Sequence, residues 1–263
     1  MPEYGNIDQA LAGLQYGTNA RIDSAIAQEN IAFGAPVMGY DGVDGKAYNA
    51  HQDMVTVTIN QALALNDVLN IVINGTTFSK TGTGTSDTDM VALKNAINAD
   101  AAMIAAGIVA SLTGSSAYRV ITLKAMGLDL VVTSTVTAAG SDGLTSTVAT
   151  SQWSNFLGVA LFAQRGGRDY GAGMAAGNPL ASGGSSYYDV NSAVNIMNFG
   201  RIWVPIPSGV TVNSLDAAYL IWASGATQGS FTNVSSGNKS VASVFITSKN
   251  SQNLAVLEIR SVA

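Results

Sequence analysis

The stretch that most constrains this chain runs from Val194 to Ile206 and reads V-N-I-M-N-F-G-R-I-W-V-P-I. From Phe199 onward the bulky apolar residues Phe199, Ile202, Val204 and Ile206 fall mostly on alternate positions, which is the period of a half-buried β-strand. Gly200 and Pro205 argue against a helix. On an extended strand Arg201 and Trp203 share the face opposite that apolar set, so a guanidinium and an indole point outward together. That pairing is common at protein interfaces. A plain core strand with a tryptophan on its outer side satisfies the same pattern.

Hydrophobic residues make up 47% of the 263 and charged residues only 11%. No apolar run approaches the ~20 residues needed to cross a bilayer. The expectation is a soluble protein, not membrane-bound, whose weakly charged surface has little electrostatic protection against association. Coverage by copies of itself or by other subunits accounts for such a surface. A net charge of −5 and a pI near 4.6, with no basic cluster, exclude nucleic acid as the partner, because phosphate binding needs grouped Lys and Arg. The absence of cysteine removes thiol catalysis, thiolate metal sites and disulfides together. The start, M-P-E-Y-G-N-I-D, has no basic segment followed by an apolar one, so no secretory signal is expected there.

Residues 1–30 mix Gly5, Gly13 and Gly17 with a weak helical spacing at Leu11, Leu14, Ile22 and Ile26, the pattern of an N-terminal arm with a short helix. A short strand is expected over 31–40, interrupted by Pro36, which suggests a sheet edge or a bulge, and closed by turns at Asp41-Gly42 and Asp44-Gly45. From His51 the character changes. Val55 to Ile59 alternates, Val68 to Phe78 turns at Asn74-Gly75 as a hairpin, and Ser86 with Asp89 gives a helix N-cap signal. The helix should carry Met90, Leu93, Ala96, Ile97, Ala101 and Ile104 to a stop at Gly107. Two more strands follow, 108–112 with 118–124, and 128–136. A nearly continuous apolar strand at 156–163, a glycine-rich loop at 166–184, then strands at 219–223, 241–247 and 254–259 complete the chain. The predicted fold is mainly β: a β-barrel or sandwich core from 31–50 and 152–263, with an inserted α+β unit of ββαββ order over 51–151.

Little in the sequence points to catalysis. His51 is the single histidine, and it reads as a surface residue in a linker; with no cysteine, a zinc site of the usual three or four N/S ligands is excluded. A Ser-His-Asp arrangement would have to use His51, and no G-x-S-x-G elbow accompanies it. T-G-T-G-T at 81–85 lacks the G-K-[ST] of a phosphate loop. Asp41 and Asp44 lack the spacing of a calcium loop and read as ordinary D-G turns. No pair of carboxylates suggests glycoside hydrolysis. The expectation is no enzyme, no cofactor, and no catalytic or metal residue.

Three stretches, I-A-F-G-A-P-V-M-G-Y at 31–40, F-L-G-V-A-L-F at 156–162 and V-N-I-M-N-F-G-R-I-W-V at 194–204, with the turn Gly229-Ser230-Phe231 and the closing L-A-V-L-E-I-R at 254–260, resemble the structural cement or capsid decoration proteins of tailed bacteriophages. The resemblance covers about 150 residues and leaves out the insert. It implies a non-enzymatic virion protein on the outer surface of the head, a homo-oligomer, dimer or trimer, that bridges major capsid protein subunits, with the insert projecting outward. Phe33, Pro36, Arg165, Arg168, Phe199, Arg201 and Trp203 are then the expected contacts with the capsid or with other copies. The alternative is a receptor- or glycan-binding protein of a head or tail fibre, in which Trp153, Tyr187 and Tyr188 stack on sugar rings.

Overall fold

The computed structural model describes residues 13, 15, 16, 20–114, 119–140, 143–162 and 187–260. The chain divides into two compact units, one made of Met1–Ala50 with Ser154–Ala263 and one of His51–Trp153. The first unit begins with β1 (Arg21–Ala27), β2 (Ile31–Ala32), β3 (Pro36–Tyr40) and β4 (Val43–Tyr48). The second holds β5 (Met54–Ile59), β6 (Val68–Ile73), β7 (Thr76–Thr81), α1 (Ser86–Ala99), α2 (Ala101–Ala105), β8 (Val109–Thr113), β9 (Val120–Lys124), β10 (Val132–Thr137) and β11 (Ser146–Ser151). The first then resumes with β12 (Asn155–Ala160), β13 (Tyr187–Tyr188), β14 (Ala193–Pro205), β15 (Ala217–Ile221), β16 (Ser230–Thr232), β17 (Lys239–Phe245) and β18 (Leu254–Ile259). Among the described residues no helix is long and apolar enough to cross a membrane.

The long strand β14 organises the first unit. Its first half pairs antiparallel with β1, from Ala193↔Ile26 to Phe199↔Arg21, and on the other side with β12 through Met197↔Val159 and Ile196↔Ala160. β1 also runs parallel to β4, β4 pairs with β3, and β3 pairs with β12, so the five strands close into a barrel. Ala25, Ala27, Val37, Ala47, Ala160, Val194 and Ile196 belong to its apolar core. The second half of β14, Gly200 to Pro205, pairs with β18, and β17, β15 and β16 extend that sheet.

Gly158 opens a bulge in β12, where the register against β3 shifts. Its φ is +147°, and a Cβ placed there would overlap the carbonyl oxygen of Met197 on β14. Only glycine meets both demands. Pro36 is the first residue of β3 and pairs with Val159 in a strand flanked by β4 and β12, so it marks a strand start and not a sheet edge. Residues 21–27 form β1 where a short helix is expected. Ile22 and Ile26 lie four apart, and that spacing puts two residues on one face of a strand as well as of a helix.

Among the described residues the second unit contains seven strands, where a ββαββ order has four. They form one sheet in the order β11-β5-β9-β8 and another in the order β10-β6-β7. The strand β11, S-T-V-A-T-S, has one bulky apolar residue and gives almost no hydrophobic signal. Met90, Leu93 and Ile97 of α1 pack into a core with Val55, Val57, Leu69, Ile71, Ile121 and Leu123. Asn74 and Gly75 both have positive φ in the β6–β7 hairpin, the geometry that Asn-Gly favours. The N-cap of α1 is Thr85, without a side-chain cap. Asp89 turns instead to the Thr83 amide at 2.7 Å and to Lys80 at 3.0 Å. Burial alone would raise the pKa of Asp89, and these hydrogen bonds hold it below the ordinary aspartate value. The helix also breaks at Asp100, whose extended backbone ends α1 and whose carboxylate caps α2 through the amides of Ala102 and Met103.

Candidate functional site

The second half of β14 presents its odd-numbered residues outward. Ile202, Val204 and Ile206 are buried, and alternation places Phe199, Arg201 and Trp203 on the opposite face. Phe199 is 46% exposed. It therefore shares a face with Arg201 and Trp203, and its expected place among the apolar inward set is corrected: a strand period of two cannot put residue 199 beside 202.

Two members of this strip, Arg201 and Trp203, are held in place. Arg201 lies across from Glu258 of β18, and its Nε donates to Oε2 of Glu258 at 2.7 Å. Arg260 donates to the other carboxylate oxygen at 3.2 Å. The hydrogen bond from Arg201 is the main reason that the Glu258 carboxyl titrates below its ordinary value; partial burial opposes the shift, and Arg260 adds to it. Trp203 meets the exposed Tyr16 edge to face, with ring centroids 6.0 Å apart. Gly13 and Tyr16 bond to β14: the Gly13 amide donates to the Trp203 carbonyl and the Tyr16 amide to the Arg201 carbonyl, at 2.8 and 2.7 Å. The result is a strip of aromatic rings and a guanidinium on a strand bonded along both edges, so its shape is set before any partner arrives.

The other expected contact residues lie elsewhere. Phe33 is buried against Phe162 and Tyr188, each centroid 5.2 Å away, and Pro36 is buried at the start of β3. Neither presents a side chain at the surface of its unit. Arg165, Arg168 and the glycine-rich stretch 166–184 lie outside the described residues. Tyr16 and Glu258 join the strip without having been expected in the sequence. Glu258 was legible in principle, as a charge within a strand otherwise built of Leu, Ala, Val and Ile; nothing marks Tyr16.

The residues of the glycan-binding alternative fall in both units, Trp153 in the second and Tyr187 and Tyr188 in the first. Tyr188 is buried and donates its hydroxyl to the Leu161 carbonyl at 2.9 Å, and the Trp153 ring is covered by the Lys124 ammonium 4.7 Å from its centroid. His51 is not a surface residue: its side chain is largely buried, with Nδ1 3.5 Å from Asp129. Among the described residues no group of three or more His, Cys, Asp or Glu is placed to hold a metal ion.

A family model described as "Structural cement protein (E217 gp24/Pam3 gp6)" matches residues 97–260. No curated protein matches the chain. Among solved structures, a chain from "The capsid of Myoviridae Phage XM1" aligns over 98% of this chain and 95% of that one, at 11% identity and a TM-score of 0.47. With more than half of its length matched by the family model, this chain belongs to the phage structural cement protein family, and it is a capsid-associated structural protein of the virion and not an enzyme.

Proposed function

We propose that the protein decorates the outer surface of a tailed-phage head as a homo-oligomer, dimer or trimer, and stabilises the shell by bridging neighbouring major capsid protein subunits. The barrel unit grips the shell through the outward strip of Phe199, Arg201 and Trp203, and the His51–Trp153 unit projects away from it. The observation that carries this reading is the strip itself: two aromatic side chains and a guanidinium on the most extensively paired strand of the first unit. Exposed Trp, Tyr and Arg on a rigid element are the residue types that dominate interface energetics.

A clip that binds only the assembled, expanded shell stabilises that state by mass action. Many copies of modest affinity on one lattice act together through multivalency. The test is co-sedimentation of the purified protein with expanded capsids, followed by the temperature at which the shells disrupt. Saturable binding and a raised disruption temperature are expected. Shells equally stable with and without the protein would overturn the proposal.

A further inference from the structure

The way charge is shared along the outward face of β14 and β18 says what kind of group that face can receive. Arg201 and Glu258 face each other across the two strands, and Arg260, two positions beyond Glu258, lies on the same side. Both guanidiniums donate their Nε–H to the one carboxylate, Arg201 at 2.7 Å and Arg260 at 3.2 Å. The side chain of Glu258 is 23% exposed, against 48% for Arg201 and 58% for Arg260, so the anion is the more sheltered group and the two cations meet solvent. Among the described residues neither guanidinium makes a further hydrogen bond, which leaves the Nη groups of both to donate.

Two positive groups on one negative leave this face a carboxylate short of neutrality, on a chain that carries −5 overall. Arg21, across from Phe199 on β1, does not alter the balance, because Asp23 lies 3.5 Å from it. A carboxylate is the acceptor that guanidinium forks match in plane and spacing. Anchoring both forks on Glu258 beforehand lowers the side-chain entropy lost when one arrives. The flanks narrow the choice further. Phe199 and Trp203 stand two positions to either side of Arg201, and on a strand such side chains point the same way about 7 Å apart. A small free anion would leave both rings idle, and nucleic acid would meet the repulsion of an acidic chain. An extended peptide, with an acidic residue between two apolar ones at alternate positions, matches all three.

We infer that this face takes an acidic segment of a neighbouring protein chain, whose Asp or Glu carboxylate accepts from the Nη groups of Arg201 and Arg260 while apolar side chains beside it lie against Phe199 and Trp203. The inference rests on the proposed shell-binding role of the strip only for which protein supplies that segment.

The experiment is a titration of the ¹⁵N-labelled full chain with the peptide acetyl-Leu-Thr-Glu-Thr-Leu-amide at low salt, read by NMR. Saturable shifts of the Trp203 indole N–H and of the Arg201 and Arg260 Nε–H signals are expected, with a dissociation constant on the order of millimolar. The analogue with glutamine for glutamate should bind at least about tenfold more weakly, and Arg201→Gln and Arg260→Gln should each weaken binding of the glutamate peptide by several-fold. The glutamine comparison uses the unaltered protein, so it holds even where a substitution impairs folding. No saturable shift, an equal response to the glutamine analogue, unchanged affinity in both variants, or the same shifts from inorganic phosphate at the same concentration would each overturn the inference. Co-sedimentation with capsids separates the two proposals. Protein that pellets with shells but does not answer the peptide keeps the cement role and loses the acidic partner, whereas protein that answers the peptide but does not pellet does the reverse.

Discussion

Gly158 carries a constraint that no other residue type satisfies, because its backbone lies at φ +147° and its missing side chain leaves room for the Met197 carbonyl. Gly158→Ala is expected to destabilise the barrel unit by ~2 kcal/mol or more, through strain and displacement of β14; denaturant unfolding measures it. Glu258 gives a pH signature. Its folded pKa lies below its unfolded one, so its contribution is complete above the unfolded value of ~4.3 and is lost as pH falls through the folded value. The stability difference between wild type and Glu258→Gln should be greatest near neutrality and shrink on acidification; a difference that does not vary with pH would show that the Arg201 pairing adds nothing. On the proposed capsid role, Trp203→Ala should weaken shell binding by ~2 kcal/mol, about 30-fold, a larger loss than the ~1 kcal/mol of barrel stability expected from its edge contact with Tyr16.

Among the elements, β14 was largely legible because Ile202, Val204 and Ile206 sit on even positions with nothing but two-residue spacing between them. Its first half was not, because Ile196, Met197 and Asn198 are all buried and erase the alternation where the strand closes the barrel. The Asn74-Gly75 hairpin was legible from turn chemistry alone. α1 was legible from Met90, Leu93 and Ile97, but its break was not, because Asp100 looks like any polar residue on a helix surface until its carboxylate is seen to cap the next one. The strip was only partly legible: Arg201 and Trp203 declare themselves by parity, whereas Tyr16 arrives through pairing that no local pattern encodes. Ile97 is fully buried on the sheet-facing side of α1. Ile97→Ala is therefore expected to cost ~2–5 kcal/mol in the His51–Trp153 unit, seen as an early transition in calorimetry, and a single unshifted transition would contradict it.

At the scale of the molecule, the segments on either side of the second unit re-enter the barrel unit close together. Tyr48 and Phe156 both pair with Met38 from opposite sides of β3, which sets them roughly 10 Å apart at two strand spacings. Replacing residues 51–153 by a linker of about five residues, whose reach is ~17 Å, should leave a folded barrel that still binds shells; failure to fold would show that the second unit is needed to hold those ends. The closure of the ring was invisible to sequence reading, since β1 has no feature that names β14 as its neighbour. That closure has a consequence for biosynthesis. Ser24 and its partner Asn195 are separated by 171 positions, so when the first strands leave the ribosome the staves that complete them have not yet been translated. The second unit, whose described strand pairings lie within one continuous stretch, can acquire its structure on the growing polypeptide, while β1 must wait for β14 before the barrel can shut.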